Sequence, residues 1–138
     1  MGSGSVILLD THALLWLDGG HGELGLAARR AADEAFRRGR LAVSAISFWE
    51  IARLLQRQRV TVRLPAEAWR RELIGSGLYE VEIDGRVGIL AAQLEHLHRD
   101  PADRFIVASA IALGAQLMTA DQRILAWRGE LLRLDARE

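Results

Sequence analysis

The chain has 138 residues, of which 50% are hydrophobic and 26% are charged, the size and composition of an ordinary globular protein with one core. The formal net charge is zero, so overall charge does not indicate a nucleic-acid partner. The lack of cysteine excludes disulfides, thiolate zinc sites and cysteine nucleophiles. All 18 basic residues are arginines, which excludes any mechanism that needs a lysine.

No segment predicts a membrane helix or a secretory signal. The longest apolar run, residues 105–118, is interrupted by polar residues and is too short to span a bilayer. We therefore expect a cytoplasmic protein. Residues 1–5 (MGSGS) resemble a cloning remnant, and we expect one domain over residues 6–138.

Strands and helices are predicted to alternate along the chain. Short apolar or alternating runs predict strands at residues 6–9, 41–44, 78–83, 116–119 and 131–134. Amphipathic or apolar stretches predict helices at residues 24–38, 47–58, 65–73, 87–97, 103–113 and 121–127. This alternation favours a three-layer α/β/α fold, in which helices cover both faces of a mainly parallel sheet.

Four acidic residues occupy comparable places in this pattern. Asp10 ends the first strand, and Glu50 lies in the first turn of the helix after the second strand. Asp103 opens the apolar helix, and Asp121 follows the strand at 116–119. Strand carboxyl ends and the helix starts after them share one edge of a parallel sheet, where ligands bind at the reversal of strand order. We therefore expect these acids to converge.

Three of the acids also have a purely structural interpretation. Glu50 completes a capping box with Ser47. Asp100, Pro101 and Asp103 form a helix start, with an N-cap, a proline at the first position and an acid in the first turn. An acid at position 121 also suits a helix N-terminus.

Taken together, the four acids indicate a metal site. Asp10 has no capping role unless a helix begins at Thr11. Four converging carboxylates repel one another unless some are protonated or a cation neutralises them, and no lysine is available. A site of oxygen ligands suits Mg²⁺ or Mn²⁺. Such an ion can bind a phosphate oxygen and activate a water, which is the chemistry of phosphodiester hydrolysis.

Several neighbouring side chains are less clearly assigned. Arg104 is a candidate either for binding phosphate or for pairing with an acid. The His96-Leu97-His98 segment is interpreted as the end of a helix rather than as a metal-binding pair. His12 is interpreted as a locally hydrogen-bonded residue rather than as a ligand.

Four sequence blocks resemble the conserved blocks of PIN-domain proteins, and in particular those of VapC toxins from type II toxin–antitoxin systems. The blocks are VILLDTHALLW at 6–16, VSAISFWEIA at 43–52, HRDPADRFIVASA at 98–110 and LMTADQRI at 117–124. The resemblance implies an α/β/α domain with Mg²⁺- or Mn²⁺-dependent endoribonuclease activity on RNA. It also implies a VapB-type antitoxin, which would lay an apolar helix in a groove and place an arginine among the acids.

The resemblance assigns the catalytic and metal-binding roles to four residues, Asp10, Glu50, Asp103 and Asp121. Auxiliary or substrate-binding roles fall to three others, Thr11, Arg104 and Thr119. The apolar helix at 103–113 further suggests a homodimer, because one core does not readily cover all its sides.

The sequence excludes two other functions and leaves two alternatives open. A receiver domain needs a lysine that the chain lacks, and a DxDxT phosphatase needs a second acid two residues after Asp10. A PIN-fold module that binds RNA or protein without cleaving it is the alternative from another class. Cleavage of DNA is a further possibility.

Overall fold

The computed structural model describes residues 5–138, so the expectation for residues 1–5 lies almost wholly outside the described part of the chain. The strands are β1 (Ile7–Leu9), β2 (Leu41–Ser44), β3 (Tyr79–Val81), β4 (Gln116–Thr119) and β5 (Arg133–Asp135). They form one sheet in the order β3-β2-β1-β4-β5, and every pairing is parallel. The predicted parallel sheet is confirmed.

Seven helices lie within the described residues. They are α1 (Thr11–Gly19), α2 (Leu26–Arg37), α3 (Ala45–Gln56), α4 (Ala66–Ser76), α5 (Gly85–Gln93), α6 (Pro101–Leu113) and α7 (Gln122–Leu125). None of these helices is long and apolar enough to cross a membrane.

The helices cover both faces of the sheet, because successive strand side chains point to opposite sides. On one face, Leu9 and Val43 pack in a cluster with apolar residues of α1 to α4. On the other face, Leu8 and Leu117 pack against α6 and α7, and α5 packs against the outer side of α6. The three-layer α/β/α fold is therefore confirmed.

Helix α1 was not predicted from the sequence. Its residues THALLWL are apolar on most sides, so the contrast between a polar and an apolar face that marks a surface helix is weak. The helix begins directly after β1, and Gly20 ends it in the left-handed conformation at φ 68°. The predicted helix at 87–97 is four residues too long, because α5 ends at Gln93.

The apolar side chains of α6 are buried or half-buried against neighbouring elements of the domain. The sheet, α5 and α3 all contact it, and none of its apolar side chains is exposed beyond Pro101 at its start. Helix α6 thus has no fully exposed apolar side, and the homodimer itself stays a prediction.

The strand order reverses at the centre of the sheet. From β1 the chain first moves outward through β2 and β3 and then returns to β4 on the other side of β1. A crevice opens at the carboxyl ends of two parallel strands where their connections run in opposite directions. In this chain that point lies between the ends of β1 and β4, directly before Asp10 and Asp121.

Candidate active site

A cavity of about 350 Å³ lies at this edge of the sheet. Its lining includes the four predicted acids and Asp100, together with Thr11, His12, Ala120, Arg123 and Arg137. Five carboxylates thus face two guanidinium groups and one imidazole. The convergence of the four acids expected from the sequence is what the structure shows.

Asp10 is the most buried acid in the cavity, with 7% of its surface exposed. Its Oδ1 accepts the Ala13 amide at 2.8 Å and its Oδ2 accepts the Thr119 hydroxyl at 2.5 Å. Burial raises the pKa of Asp10, and these two hydrogen bonds only partly oppose the rise. The side chain also caps α1, a role that the sequence analysis had allowed only if a helix began at Thr11.

Glu50 is linked to the same side of the cavity through Thr11. The Thr11 hydroxyl donates to Glu50 Oε1 at 2.5 Å and lies 2.9 Å from the buried Ser47 hydroxyl. The predicted capping box of Ser47 and Glu50 was wrong, because α3 begins earlier and Ser44 is its N-cap. Glu50 is therefore held by Thr11 at the cavity and not by the start of its own helix.

Asp103 lies in the first turn of α6, after the N-cap Asp100 and the N1 proline, as predicted. His98 Nε2 lies 2.7 Å from Asp103 Oδ2. Burial raises the pKa of Asp103 to about 6, the negative charges of Asp100 and Asp121 add to the rise, and the hydrogen bond with His98 opposes it. This carboxyl group is therefore poorly stabilised as an anion in the absence of a cation.

Asp121 joins the cluster from the end of β4. Its Oδ1 accepts the amides of Arg123 and Ile124, and the Arg123 guanidinium lies 3.4 Å from Oδ2. Burial acts to raise the pKa of Asp121, but the hydrogen bonds from Arg123 and Ile124 outweigh it, so the pKa is lowered. Among the described residues, ligand atoms of His98, Asp103 and Asp121 all lie within 4.8 Å of one another.

Thr119 connects the two halves of the cluster. Its hydroxyl donates to Asp10 and accepts the Asp121 amide at 3.0 Å. The residue is fully buried at the end of β4. Thr119 and Thr11 therefore each orient a carboxylate by a direct hydrogen bond, which is the geometry of auxiliary residues.

Arg104 is placed differently from the acid-pairing role that the sequence suggested. Its guanidinium donates to the carbonyls of five residues in α5 and the segment after it, namely Ala91, Ala92, Leu94, Leu97 and His98. It does not line the cavity and forms no ion pair with a carboxylate in the described part of the chain. Pairing with an acid is therefore not what the structure shows, because the carbonyls at the end of α5 occupy the guanidinium, and phosphate binding by Arg104 stays a prediction.

Further residues at the site carry no role in the prediction from the sequence, among them His98, Arg123 and Arg137. His98 does not end a helix but lies in the segment between α5 and α6, where it contacts Asp103. Arg123 bridges toward Asp121 and Asp103, at 3.4 and 4.0 Å. Arg137 comes from the far end of the chain. The HRD triplet beside the DPADR block was a usable signal for His98, whereas nothing local marks the two arginines.

Comparison with known proteins agrees with this geometry. The family model described as PIN domain matches residues 7–128, which is most of the chain. The chain belongs to the PIN-domain family. Ribonuclease VapC22 of Mycobacterium tuberculosis is 34% identical to it over 125 residues, which is 90% of this chain and 93% of that protein.

Solved structures share the fold of this PIN domain. VapBC2 from Rickettsia felis, bound to a DNA fragment from its promoter, superposes with a TM-score of 0.69 at 15% identity and covers 94% of this chain and 99% of its own. VapBC-1 from nontypeable Haemophilus influenzae gives a TM-score of 0.65 at 17% identity, covering 96% and 99%. The resemblance to VapC toxins suggested by the four sequence blocks thus holds for the sequence and the fold.

Proposed function

We propose that this PIN domain is a metal-dependent endoribonuclease toxin of the VapC type, held inactive by a VapB-type antitoxin. The observation that carries the proposal is the convergence of Asp10, Glu50, Asp103 and Asp121 on one cavity at the switch point of the sheet. The relatedness to Ribonuclease VapC22 supports RNA as the substrate.

A hard divalent cation fits this donor set. The cavity offers carboxylate oxygens, and burial, with a smaller contribution from neighbouring acids, raises the pKa values of Asp10 and Asp103, so a bound cation would stabilise their anions. We assign the ligand role to Asp10, Asp103 and Asp121, with Glu50 as a ligand or as the residue that orients the attacking water. Mg²⁺ and Mn²⁺ are the ions that such oxygen sites prefer.

In this mechanism the protein side chains position the reactants. A divalent ion, when bound, supplies Lewis acidity and lowers the pKa of a water. Thr11 occupies Glu50 Oε1, which leaves Oε2 to accept a proton from the water. Thr119 and His98 each hold one oxygen of Asp10 and Asp103 respectively, so that the carboxylates keep one orientation during the reaction.

The proposal is tested with the wild-type protein and Asp10→Asn on RNA and DNA of the same sequence. Asparagine keeps the oxygen that caps α1 and removes the charge, so the fold is retained. We expect the wild type to cleave RNA only with Mg²⁺ or Mn²⁺ and Asp10→Asn to cleave neither substrate. Equal RNA binding by both proteins without cleavage would instead favour a non-catalytic binding module, and cleavage of the DNA would change the substrate class.

The antitoxin is supported by solved structures of the same fold, which include a toxin–antitoxin complex from Klebsiella pneumoniae and VapBC2 from Rickettsia felis. A cavity with five carboxylates also attracts a partner's guanidinium group as it attracts a metal ion. Co-expression with a VapB-type antitoxin is expected to yield a stable complex without ribonuclease activity. A cytoplasmic location belongs to the same proposal, because the RNA substrate is there.

A homodimer is also proposed, through exposed apolar side chains outside α6. The two helices that flank α6 each expose one large apolar side chain, Trp49 of α3 at 49% and Ile89 of α5 at 62%. Exposed aromatic and aliphatic side chains of this size are typical of interfaces. Light scattering is expected to give twice the monomer mass for the wild type and the monomer mass for Trp49→Asp.

A further inference from the structure

The acidic cavity alone repels the substrate that it is proposed to cleave. An RNA strand carries one negative charge at each phosphate, and a bound divalent ion neutralises only part of the carboxylate charge. Positive side chains at the edge of the cavity are therefore required to hold the strand. Two arginines line it, Arg123 and Arg137.

The two arginines differ in whether their charge is already neutralised. Arg123 lies within 4.0 Å of both Asp121 and Asp103. Arg137 forms no ion pair with a carboxylate anywhere in residues 5–138, although it lines the same cavity. Its positive charge is thus available to an incoming anion.

The side chain of Arg137 is held in one direction. The guanidinium carbon lies 5.5 Å from the centre of the Trp16 ring, and Nη1 donates to the Ala120 carbonyl at 3.3 Å. Ala120 lies between Thr119 and Asp121, so this hydrogen bond fixes the guanidinium next to the acids. A guanidinium held over a ring in this way keeps its remaining N–H groups free for a phosphate.

The backbone that carries Arg137 is also anchored. The Ala136 amide donates to the Thr119 carbonyl at 2.9 Å, and the Gly25 amide donates to the Ala136 carbonyl at 2.8 Å. A Cβ atom at Gly25 would lie 2.2 Å from the Glu138 carbonyl carbon, so only glycine admits this approach. Arg137 is therefore presented by a fixed segment and not by a free tail.

His12 extends this surface. Its imidazole is exposed at the cavity, and its ring centre lies 6.3 Å from that of Trp16 at an angle of 56°. An arginine, an indole and an imidazole thus lie side by side next to the acids. Proteins that bind single-stranded nucleic acids use such combinations, in which the cation contacts a phosphate and the aromatic rings stack on bases.

We propose that Arg137, supported by Trp16 and flanked by His12, is a positioning residue that binds the phosphate of a nucleotide adjacent to the cleaved bond. The inference rests on the proposed ribonuclease function. Arg137 lies outside the part of the chain that the family model matches, because that match ends at residue 128.

The test measures RNA binding without cleavage, in the Asp10→Asn background with Mn²⁺. The probe is fluorescein-labelled single-stranded RNA of randomised sequence, titrated by anisotropy at several KCl concentrations. Arg137→Gln is expected to weaken binding several-fold and to reduce the slope of log K against log salt by about 0.7, the loss of one phosphate contact. Arg137→Lys is expected to keep most of the slope.

Arg30→Gln is the matched control, because it removes the same charge from an exposed position of α2 that does not line the cavity. We expect it to leave the affinity and the salt slope unchanged. If Arg137→Gln binds RNA as Arg30→Gln does, the inference is overturned. With Asp10 intact, the Mn²⁺ affinity measured by calorimetry is expected to be the same in Arg137→Gln and Arg30→Gln, since Arg137 forms no ion pair with the carboxylates of the cavity.

A second measurement does not depend on how the Arg137 variants fold. In Asp10→Asn, bound RNA is expected to protect Arg137, but not Arg30, from phenylglyoxal modification, read by mass spectrometry. Equal modification of Arg137 with and without RNA contradicts the inference. Absence of RNA cleavage by the wild-type protein would instead count against the proposed function. The comparison of RNA binding by Arg137→Gln and Arg30→Gln decides the role of Arg137 independently of that result.

Discussion

The hydroxyl of Thr119 donates to Asp10 Oδ2 over 2.5 Å, although the two residues are 109 positions apart in the chain. The hydroxyl oxygen of Thr119 also accepts a hydrogen bond from the Asp121 amide at 3.0 Å. One buried hydroxyl thus couples the ends of β1 and β4, the strands between which the sheet order reverses. The site is assembled by this pairing of strands and not by any local segment of sequence.

Replacement of Thr119 by valine keeps the shape and removes the hydroxyl. Asp10 then loses a hydrogen bond that lowers its pKa, and the Asp121 amide loses its acceptor. We expect the free energy of unfolding to fall by about 1–3 kcal/mol and the Mn²⁺ affinity to fall about 10- to 100-fold. Urea unfolding and calorimetry measure the two effects. Thr119→Ser is expected to restore both, and a valine variant with normal metal affinity would contradict the assigned role.

Metal binding is expected to weaken steeply in mild acid. The pKa of Asp103 is raised to about 6, and a divalent ion must displace the proton that this group binds below that pH. Mn²⁺ affinity should therefore fall by at least about tenfold for each pH unit below 6. The pKa of Asp10 is also raised, which acts in the same direction. Calorimetry between pH 5 and 8 tests this, and a flat profile would contradict it.

The raised pKa of Asp103 also makes the stability of the metal-free protein depend on pH. This stability falls as the pH rises, whereas the metal affinity increases. A raised pKa in the folded state means that Asp103 contributes stability below its ordinary pKa of 3.8, and this contribution is lost as the pH rises through about 6. In the metal-free protein, Asp103→Asn is therefore expected to be more stable than the wild type at pH 7, and the difference should shrink at pH 5. Thermal unfolding in EDTA at the two pH values measures it.

Much of the fold and of the acid cluster was predictable from the sequence. Asp10, Asp103 and Asp121 follow strands or lie at helix starts, and in a parallel sheet all such positions lie at one edge. Glu50 lies one turn further into α3 than predicted but still lines the cavity. Helix α1 escaped prediction because its apolar residues lack a helical face pattern. Arg137 could not be assigned to the site because its place depends on long-range packing of the last segment against Gly25. His98 had a signal in the HRD triplet, but its contact with Asp103 depends on how Arg104 holds the segment after α5.

His98 is expected to act by orienting Asp103. Its imidazole lies 2.7 Å from Asp103 Oδ2, and this hydrogen bond lowers the pKa of the carboxyl group. His98→Ala should therefore raise the pH midpoint of Mn²⁺ binding and reduce kcat more than it changes KM. His98→Gln, which retains an N–H donor, is expected to recover part of both. A variant with a lower kcat but an unchanged pH midpoint would indicate a merely structural role.

Arg123 is expected to compete with the metal ion. Its guanidinium lies 3.4 Å from Asp121 and 4.0 Å from Asp103, so it occupies part of the negative field that a divalent ion would use. The side chain is 63% exposed, and such a pair contributes only about 0.2–1 kcal/mol. Arg123→Gln should accordingly raise the Mn²⁺ affinity about two- to fivefold in the absence of RNA. A lower affinity would show that Arg123 supports the site.

Arg104 is expected to stabilise the fold and to affect the site only through it. Its guanidinium donates to five carbonyls around the end of α5, including those of Leu97 and His98. A lysine cannot reach these acceptors with the same planar set of donors. Arg104→Lys should therefore lower the free energy of unfolding by about 2–4 kcal/mol.

The RNA affinity of folded Arg104→Lys distinguishes this structural role of Arg104 from a phosphate-binding role. Arg104 does not line the acidic cavity, so Arg104→Lys measured well below its unfolding midpoint should bind RNA with the salt slope of the wild type. Its Mn²⁺ affinity should fall only to the extent that the His98 segment moves away from Asp103. A reduced salt slope in a fully folded Arg104→Lys would return the residue to the substrate-binding surface, because loss of carbonyl contacts alone does not change the number of phosphates bound.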